Sequence, residues 1–330
     1  MAGIVGLGTT FNLPNYVGEL FSTSPEDTPF LSSIGGLTGG RAVPSTTFTW
    51  SSYDLRAPDA TRQRLEGADA PTAEERKRVE GNNVLEIHQE QVAVSYTKQA
   101  ATGQFHSGAW PAWNSHPQGN GPNAVTDELN WQLTQSFKQV ARDVEKSFLV
   151  GTYLLPPDNG MARRTRGILQ AITTNATDAA GAALTKDLVL DLMQQVWDNG
   201  GIMESETRTL ICGSGVKRQL TDLFINSTSY ASRQETSRNV GGVNLQTFET
   251  DFGRCNIMLN RWMPAEQLAV VSLEECSPVF LEIPGKGHFF AEPLSKTGAS
   301  EKVQLYGEIG LDYGNQLKHG KLYGLSTAGS

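Results

Sequence analysis

The sequence predicts an α+β fold, and three observations carry that expectation. One long amphipathic helix stands alone at about 124–149, two strand-like runs enclose a charged loop before it, and helices alternate with strands after residue 184. Composition allows a sizeable core: the chain has 330 residues, 38% hydrophobic, with 34 glycines and 15 prolines. Charged residues make up 19%, below the roughly 25% usual for soluble domains, so the surface is rich in uncharged polar groups. A net charge of -8 argues against gripping nucleic acid by bulk charge, which requires clustered cations.

The first forty residues are rich in Gly, Ser and Thr with scattered apolar residues, and lack Lys and Arg. They have no basic signal-peptide flank, and no apolar run in the chain is long enough to cross a bilayer. Within Ser24-Pro25-Glu26-Asp27-Thr28-Pro29, both Ser24 and Thr28 are placed to cap a helix, each followed by proline at the first-turn position. Phe30, Leu31 and Ile34 then share one face of a turn that Gly35-Gly36 ends. Too little apolar content is present for a separate domain, so this segment is expected to lie as an arm on something else.

Residues 46–55 and 84–97 read as strands, the second alternating through Val92, Val94 and Tyr96 and reaching about 45 Å at strand rise. The connection 56–83 carries Leu65 and Val79 as its only bulky aliphatics, and its second half is crowded with charge from Glu74 to Glu80. So long a connection is either a solvated surface loop or the tip of a hairpin arm that packs on a neighbour; the flanking strands favour the arm. After a Gly-, Pro- and Asn-containing linker, 108–123, Val125, Leu129, Leu133, Phe137, Val140, Val144 and Phe148 draw one apolar stripe along about 36 Å of helix. Asp127 and Glu128 in its first turn and Lys146 near its end suit the helix dipole, and Gly151 stops it. An unpartnered charge on this stripe, as in Leu133→Asp or Phe137→Asp, is expected to abolish folding.

Arg163, Arg164 and Arg166 follow as a short basic turn, either solvated or facing phosphate or a neighbour's carboxylates. Thr185 caps a helix carrying Leu188, Leu192, Val196 and Trp197; residues 207–212 form a strand; Val216, Leu220, Leu223 and Phe224 mark another helix. Strand-like runs follow at 243–250, 254–260, 267–273, 279–283, 302–313 and 317–325.

Catalytic and cofactor signals are weak. Cys212-Gly213-Ser214-Gly215 has the place of a dinucleotide-binding turn, but Arg218 stands where its third glycine belongs, so a tight turn with Ser214 as helix cap is the simpler reading. Asp251-Phe252-Gly253 reads as a hairpin turn. His88, His106, His116, His288 and His319 lack metal-ligand spacing, and Cys212, Cys255 and Cys276 are too dispersed for a disulfide framework or zinc site and read as reduced thiols. No catalytic residue, cofactor or metal is assigned, and a non-enzymatic protein is expected.

The order of arm, Ser-Pro-Glu-Asp-Thr-Pro-Phe-Leu segment, hairpin loop, long helix, Arg163-Arg164-Thr165-Arg166-Gly167 turn and helix/strand block resembles the Hong Kong 97-type major capsid proteins of tailed bacteriophages. The closing stretch, Tyr306-Gly307-Glu308 through His319-Gly320-Lys321-Leu322-Tyr323-Gly324-Leu325, looks like the end of one branch of that family. The resemblance implies a Hong Kong 97-like capsid fold: N-terminal arm 1–44, extended hairpin loop 45–102, peripheral domain with spine helix 103–180, axial domain of mixed sheet and helices 181–290, and peripheral return strands 291–330. It implies self-assembly into pentamers and hexamers of an icosahedral head shell around double-stranded DNA, which would meet the inner face without sequence-specific binding. A separate scaffolding protein, a portal and a decoration protein are the further partners it suggests; with the chain beginning at Met1, no scaffolding segment is expected ahead of the arm. The expected location is the virion capsid, assembled in host cytoplasm, with no membrane partner. Candidate intersubunit contacts are Arg62, Arg64, Glu74, Glu75, Arg76, Lys77, Arg78, Arg163, Arg164 and Arg166. The alternatives are an encapsulin-like nanocompartment shell, marked by enzyme cargo instead of DNA, and a nucleotide-using enzyme built around the Gly213-Ser214-Gly215 turn.

Overall fold

The computed structural model describes residues 26–53, 55, 58–60, 62–73, 75–76, 78–98, 128–201, 208–225, 246–296 and 298–326. The chain divides into two units, a larger one of Asp27–His88, Val140–Phe290 and Tyr306–Ser330, and a smaller one of Met1–Glu26, Gln89–Gln139 and Ala291–Leu305.

Helix α1 (Pro29–Ile34) opens the larger unit, with Pro29 in its first turn and Phe30, Leu31 and Ile34 buried as their spacing predicts. Thr28 does not cap it; the Thr28 hydroxyl instead faces Ser32 Oγ at 3.3 Å, and Ser24 lies outside the described residues. Strand β1 (Arg41–Val43), which the sequence pattern did not reveal, runs parallel to β10 (Ser277–Leu281). That strand pairs in turn with β12 (Ser300–Asp312), antiparallel from Ser277↔Asp312 to Phe280↔Ile309.

Strands β2 (Thr47–Tyr53) and β3 (Arg78–Val84) form a two-stranded antiparallel hairpin, registered from Thr47↔Val84 to Tyr53↔Arg78. The second strand expected over 84–97 is β4 (Glu86–Ser95), shorter at both ends, whereas β3 lies almost wholly in the stretch 56–83 expected to be a loop; fully buried Leu85, whose N–H donates to Thr46 O at 2.9 Å, separates the two. The two strands serve different partners, β3 pairing with β2 and β4 with β12. Opposite Trp50 only glycine fits, because a Cβ on Gly81 would lie 2.4 Å from the indole ring.

A six-stranded mixed sheet, β5-β13-β9-β6-β8-β7, forms the other half of the larger unit. Its members are β5 (Ala176–Asp178), β6 (Arg208–Cys212), β7 (Thr247–Thr250), β8 (Gly253–Leu259), β9 (Leu268–Ser272) and β13 (Gly320–Tyr323). Helix α2 is Glu128–Val150, α3 is Ile168–Ala171, α4 is Lys186–Asp198 and α5 is Ser214–Ile225. Val189, Leu192 and Val196 of α4 join Val216, Leu220 and Phe224 of α5 in one buried cluster with Leu210, Phe248, Leu268 and Leu322 of the sheet. Thr185 caps α4 as expected, its side chain accepting from Leu188 N. Trp197, read with that helix's apolar face, is 54% exposed and lies 6.5 Å from the Phe252 ring. Asp251-Phe252-Gly253 is the β7–β8 hairpin turn, with Gly253 at φ 107°.

The apolar stripe of α2 is not uniformly buried. Val140, Val144 and Phe148 are buried, whereas Leu129, Leu133 and Phe137 are only half-buried and Val125 lies outside the described residues. Lys146 falls just before the last turn of the helix, which carries no basic residue.

In the smaller unit β4, β12 and β11 (Phe289–Pro293) meet. Tyr96 N–H donates to Ala299 O, Leu294 N–H to Lys302 O, and Gln89 Nε2 to Gln304 Oε1. Ion pairs of Lys98 with Glu128 and Lys138 with Glu26 lie in the same unit.

Candidate subunit-contact surface

The segment expected to reach a neighbour is exposed throughout: every described residue from 58 to 80 is exposed, and so are Tyr53, at 71%, and Leu55. Leu65, at 86%, and Val79, at 65%, are uncovered apolar side chains of the kind a partner surface buries. Arg62 lies 3.8 Å from Asp59, too exposed a pair to stabilise the loop much. Arg64, Glu75 and Arg78 form no ion pair among the described residues; Arg76 is also exposed, and Glu74 and Lys77 lie outside the described residues.

By contrast the root of this hairpin is held tightly. Asn83 is fully buried and uses its whole amide: Nδ2 donates to Leu311 O and Arg166 O, while Oδ1 accepts from Val84 N and Arg166 N. Glu86 accepts from Thr165 N and contacts His88 Nε2 at 2.8 Å. Trp50 Nε1 donates to Gly314 O at 2.7 Å, and its ring meets Tyr313 edge-on at 4.8 Å.

Of the three arginines in the basic turn, two are used within the chain. Arg163 donates to Glu308 at 2.8 Å, and Tyr306 OH donates to the other oxygen of the same buried carboxylate. Burial, reinforced by Glu308, pushes the Tyr306 hydroxyl up to about 12. Arg166 donates to Tyr313 OH at 2.9 Å and lies over the Tyr153 ring at 4.5 Å. Among the described residues Arg164 pairs only through its backbone, in the two-way bridge with Leu154, and its side chain is exposed with no ion-pair partner there. A turn that reads as solvated from its charge is largely an internal staple, because Glu308 and Asn83, far away in sequence, supply its partners.

Sequence reasoning missed the carboxylate that fastens α1. Glu145 is fully buried on α2, accepting from Phe30 N at 2.9 Å, Leu31 N at 2.6 Å and the Asn260 amide. It does the capping expected of Thr28, from more than a hundred residues away. Burial outweighs these hydrogen bonds and raises its pKa above the usual 4.5. Arg261 adds an exposed contact to Asp27 at 2.9 Å. No spacing rule marks Glu145, because its partners are backbone groups of another segment.

Among the described residues, those considered for chemistry do not converge; His106 and His116 lie outside the described residues. Ser214 is the first residue of α5, not its cap, and Gly213 O accepts the Lys217 N–H. Cys212, Cys255 and Cys276 are buried free thiols; desolvation pushes the first two up to about 12 and Cys276 higher still. His319 is buried with Nδ1 accepting from Ser272 N, so Nε2 carries the proton donated to Tyr313 O and the ring is neutral. Among the described residues there is no metal-type cluster of His, Cys, Asp and Glu, and no helix long and apolar enough to cross a membrane.

An arm helix fastened to a long spine helix, an exposed hairpin and a mixed sheet covered by two helices define a shell protein of the Hong Kong 97-like capsid fold. The cyanophage A-1(L) capsid structure shares it with a TM-score of 0.64 at 10% identity, covering 95% of this chain and 97% of that one. The encapsulin complex of Synechococcus elongatus matches with a TM-score of 0.57 at 10% identity, covering 97% of this chain and 95% of that one. The family model described as SU10 major capsid protein matches residues 3–326, and the chain belongs to this family. The major capsid protein of Escherichia phage Phieco32 is 23% identical over 366 aligned residues, covering 96% of this chain and 94% of that protein. The chain is a major capsid protein of the tailed-phage type, a structural class and not an enzyme class.

Proposed function

We propose that the chain assembles as hexamers and pentamers into an icosahedral head shell around double-stranded DNA, with residues 45–102 reaching onto a neighbouring subunit. The observation that carries this reading is the contrast along the hairpin: a root fixed by Asn83 and Trp50, and a far half whose described residues are all exposed. An isolated subunit gains nothing from uncovered Leu65 and Val79, whereas a head-to-tail contact that buries them closes into rings. In this scheme residues 1–44 are the arm, 103–180 and 291–330 the peripheral domain and 181–290 the axial domain. The net charge of -8 suits a wall that confines DNA without holding it. Scaffolding, portal and decoration functions belong to separate proteins, and assembly takes place in host cytoplasm.

Deleting 62–80 tests the arm. The expected product is a folded, soluble subunit that forms no shells by electron microscopy, and shells of normal yield overturn the reading. The encapsulin-like alternative rests on the shared fold; particles that contain enzyme and no DNA would favour it.

A further inference from the structure

Resting on that shell reading, we infer that a cleft beside the basic turn is the receptor for a carboxylate of a second copy of this chain. The cleft has a volume of about 270 Å³ and is lined by Lys146, Ser147 and Val150 of α2, by Gly151 and Thr152 after it, and by Glu86 and Arg164. It is smaller than the roughly 300–1,000 Å³ of a small-molecule pocket, and suits one or two inserted side chains.

Its chemistry is cationic on balance, two cations standing against one carboxylate and the carbonyl end of α2. Lys146 and Arg164 are exposed cations with no ion-pair partner among the described residues. The hydroxyls of Ser147 and Thr152 bond no other described residue. Glu86, the only carboxylate in the lining, has both oxygens taken, one by His88 and one by the Thr165 N–H. At the helix end, Ser147 O already accepts from Gly151 N and Gly151 O from Gly167 N. What remains in excess is positive charge and hydroxyl donors, which a carboxylate reaching Lys146 and Arg164 satisfies by charge-assisted hydrogen bonds.

The matching groups lie on the exposed hairpin segment. Glu66, Asp69, Glu75 and Glu80 are all exposed and form no ion pair among the described residues. Their charges are complementary to the cleft, and pairing of this kind sets register between subunits more than it sets affinity. The cleft therefore specifies where a neighbour's segment is seated, while the apolar residues of that segment supply contact area.

The test uses full-length chain. Particles assembled from a mixture of ¹⁴N- and ¹⁵N-labelled subunits are treated with a water-soluble carbodiimide. This reagent joins the Lys146 amine to an adjacent carboxylate as an amide, the expelled oxygen leaving on the carbodiimide as its urea. Mixed-isotope peptides linking Lys146 to the 64–80 segment are expected; their absence, or links found only within one label, overturns the inference. The Lys146→Ala/Arg164→Ala variant should remain folded by circular dichroism, yet need at least about tenfold more subunit to assemble at low salt, the gap closing as salt rises. Assembly like that of the parent overturns the inference and leaves the shell reading standing, whereas failure of the parent chain to form any shell overturns the shell reading itself. A defect confined to DNA-filled particles would assign the cleft to nucleic-acid phosphate and also overturn the proposal.

Discussion

Replacing Glu145 with alanine should release the arm helix at a cost that follows from its hydrogen bonds. The substitution leaves Phe30 N–H, Leu31 N–H and the Asn260 amide without their acceptor in a fully buried site. Each buried backbone donor left unsatisfied costs about 1–3 kcal/mol, giving about 2–6 kcal/mol for the two. Removing a carboxylate whose burial is itself unfavourable returns part of this, so a net loss of about 2–5 kcal/mol is expected. Glu145→Gln keeps the oxygen facing Phe30 and Asn260 but turns an NH₂ toward the Leu31 N–H, and should cost about 1–3 kcal/mol. Urea denaturation of unassembled subunit at pH 7, followed by far-UV circular dichroism, measures both. An alanine variant within about 0.5 kcal/mol of the parent would refute the clasp, because changes that small are ordinary for surface substitutions.

The same carboxylate gives a pH signature: its folded pKa is raised, so its stabilising contribution is complete below about 4.5 and is lost as pH rises through the folded value. Measured against Glu145→Gln, which does not titrate there, the parent's relative stability should fall across that window and then level; a rise would contradict the assignment. Val144→Asp, at a fully buried position, should leave no folded subunit in the soluble fraction, whereas Leu133→Asp, expected from the stripe alone to abolish folding, sits at a half-buried position and should remain soluble. Equal solubility of the two would show that the stripe is not divided as described. The three cysteines should resist a thiol reagent at pH 8 until denaturant is added, since their thiols are buried and their pKa values raised; rapid labelling of the native protein would be the contrary result.

Where one element carries its own periodic signal, the sequence was enough. Helix α2 with the buried second half of its stripe, the Thr185 cap and the β7–β8 turn all lie where spacing and turn chemistry place them. The order of elements was sufficient to suggest the capsid fold. The three-residue strands β1 and β5 have no room for alternation and exist because longer strands template them. Strand β3 was hidden inside the expected loop 56–83, because its largely exposed, polar residues show no apolar alternation and it is paired through β2; the Leu85 that follows it is buried against Phe48 and Val279 from elsewhere in the chain. The environment of the candidate contact residues was half legible. The exposed charges of the hairpin were visible as charge, but nothing near Arg163 or Arg166 reveals the Glu308 carboxylate or the Asn83 amide that engages them. Electrostatic roles were legible only where both partners lie close in sequence.

The anchoring at Asn83 and Trp50 also has a mechanical meaning. A two-stranded beam clamped at its root resists a sideways push by bending, not by swinging on a loose hinge. Force applied along 58–80 arrives at Leu311 and Gly314 through the Asn83 amide and the Trp50 indole. A particle made from such subunits would take up internal pressure as elastic strain shared by many cantilevers, and its stiffness would depend on one buried amide and one indole per subunit.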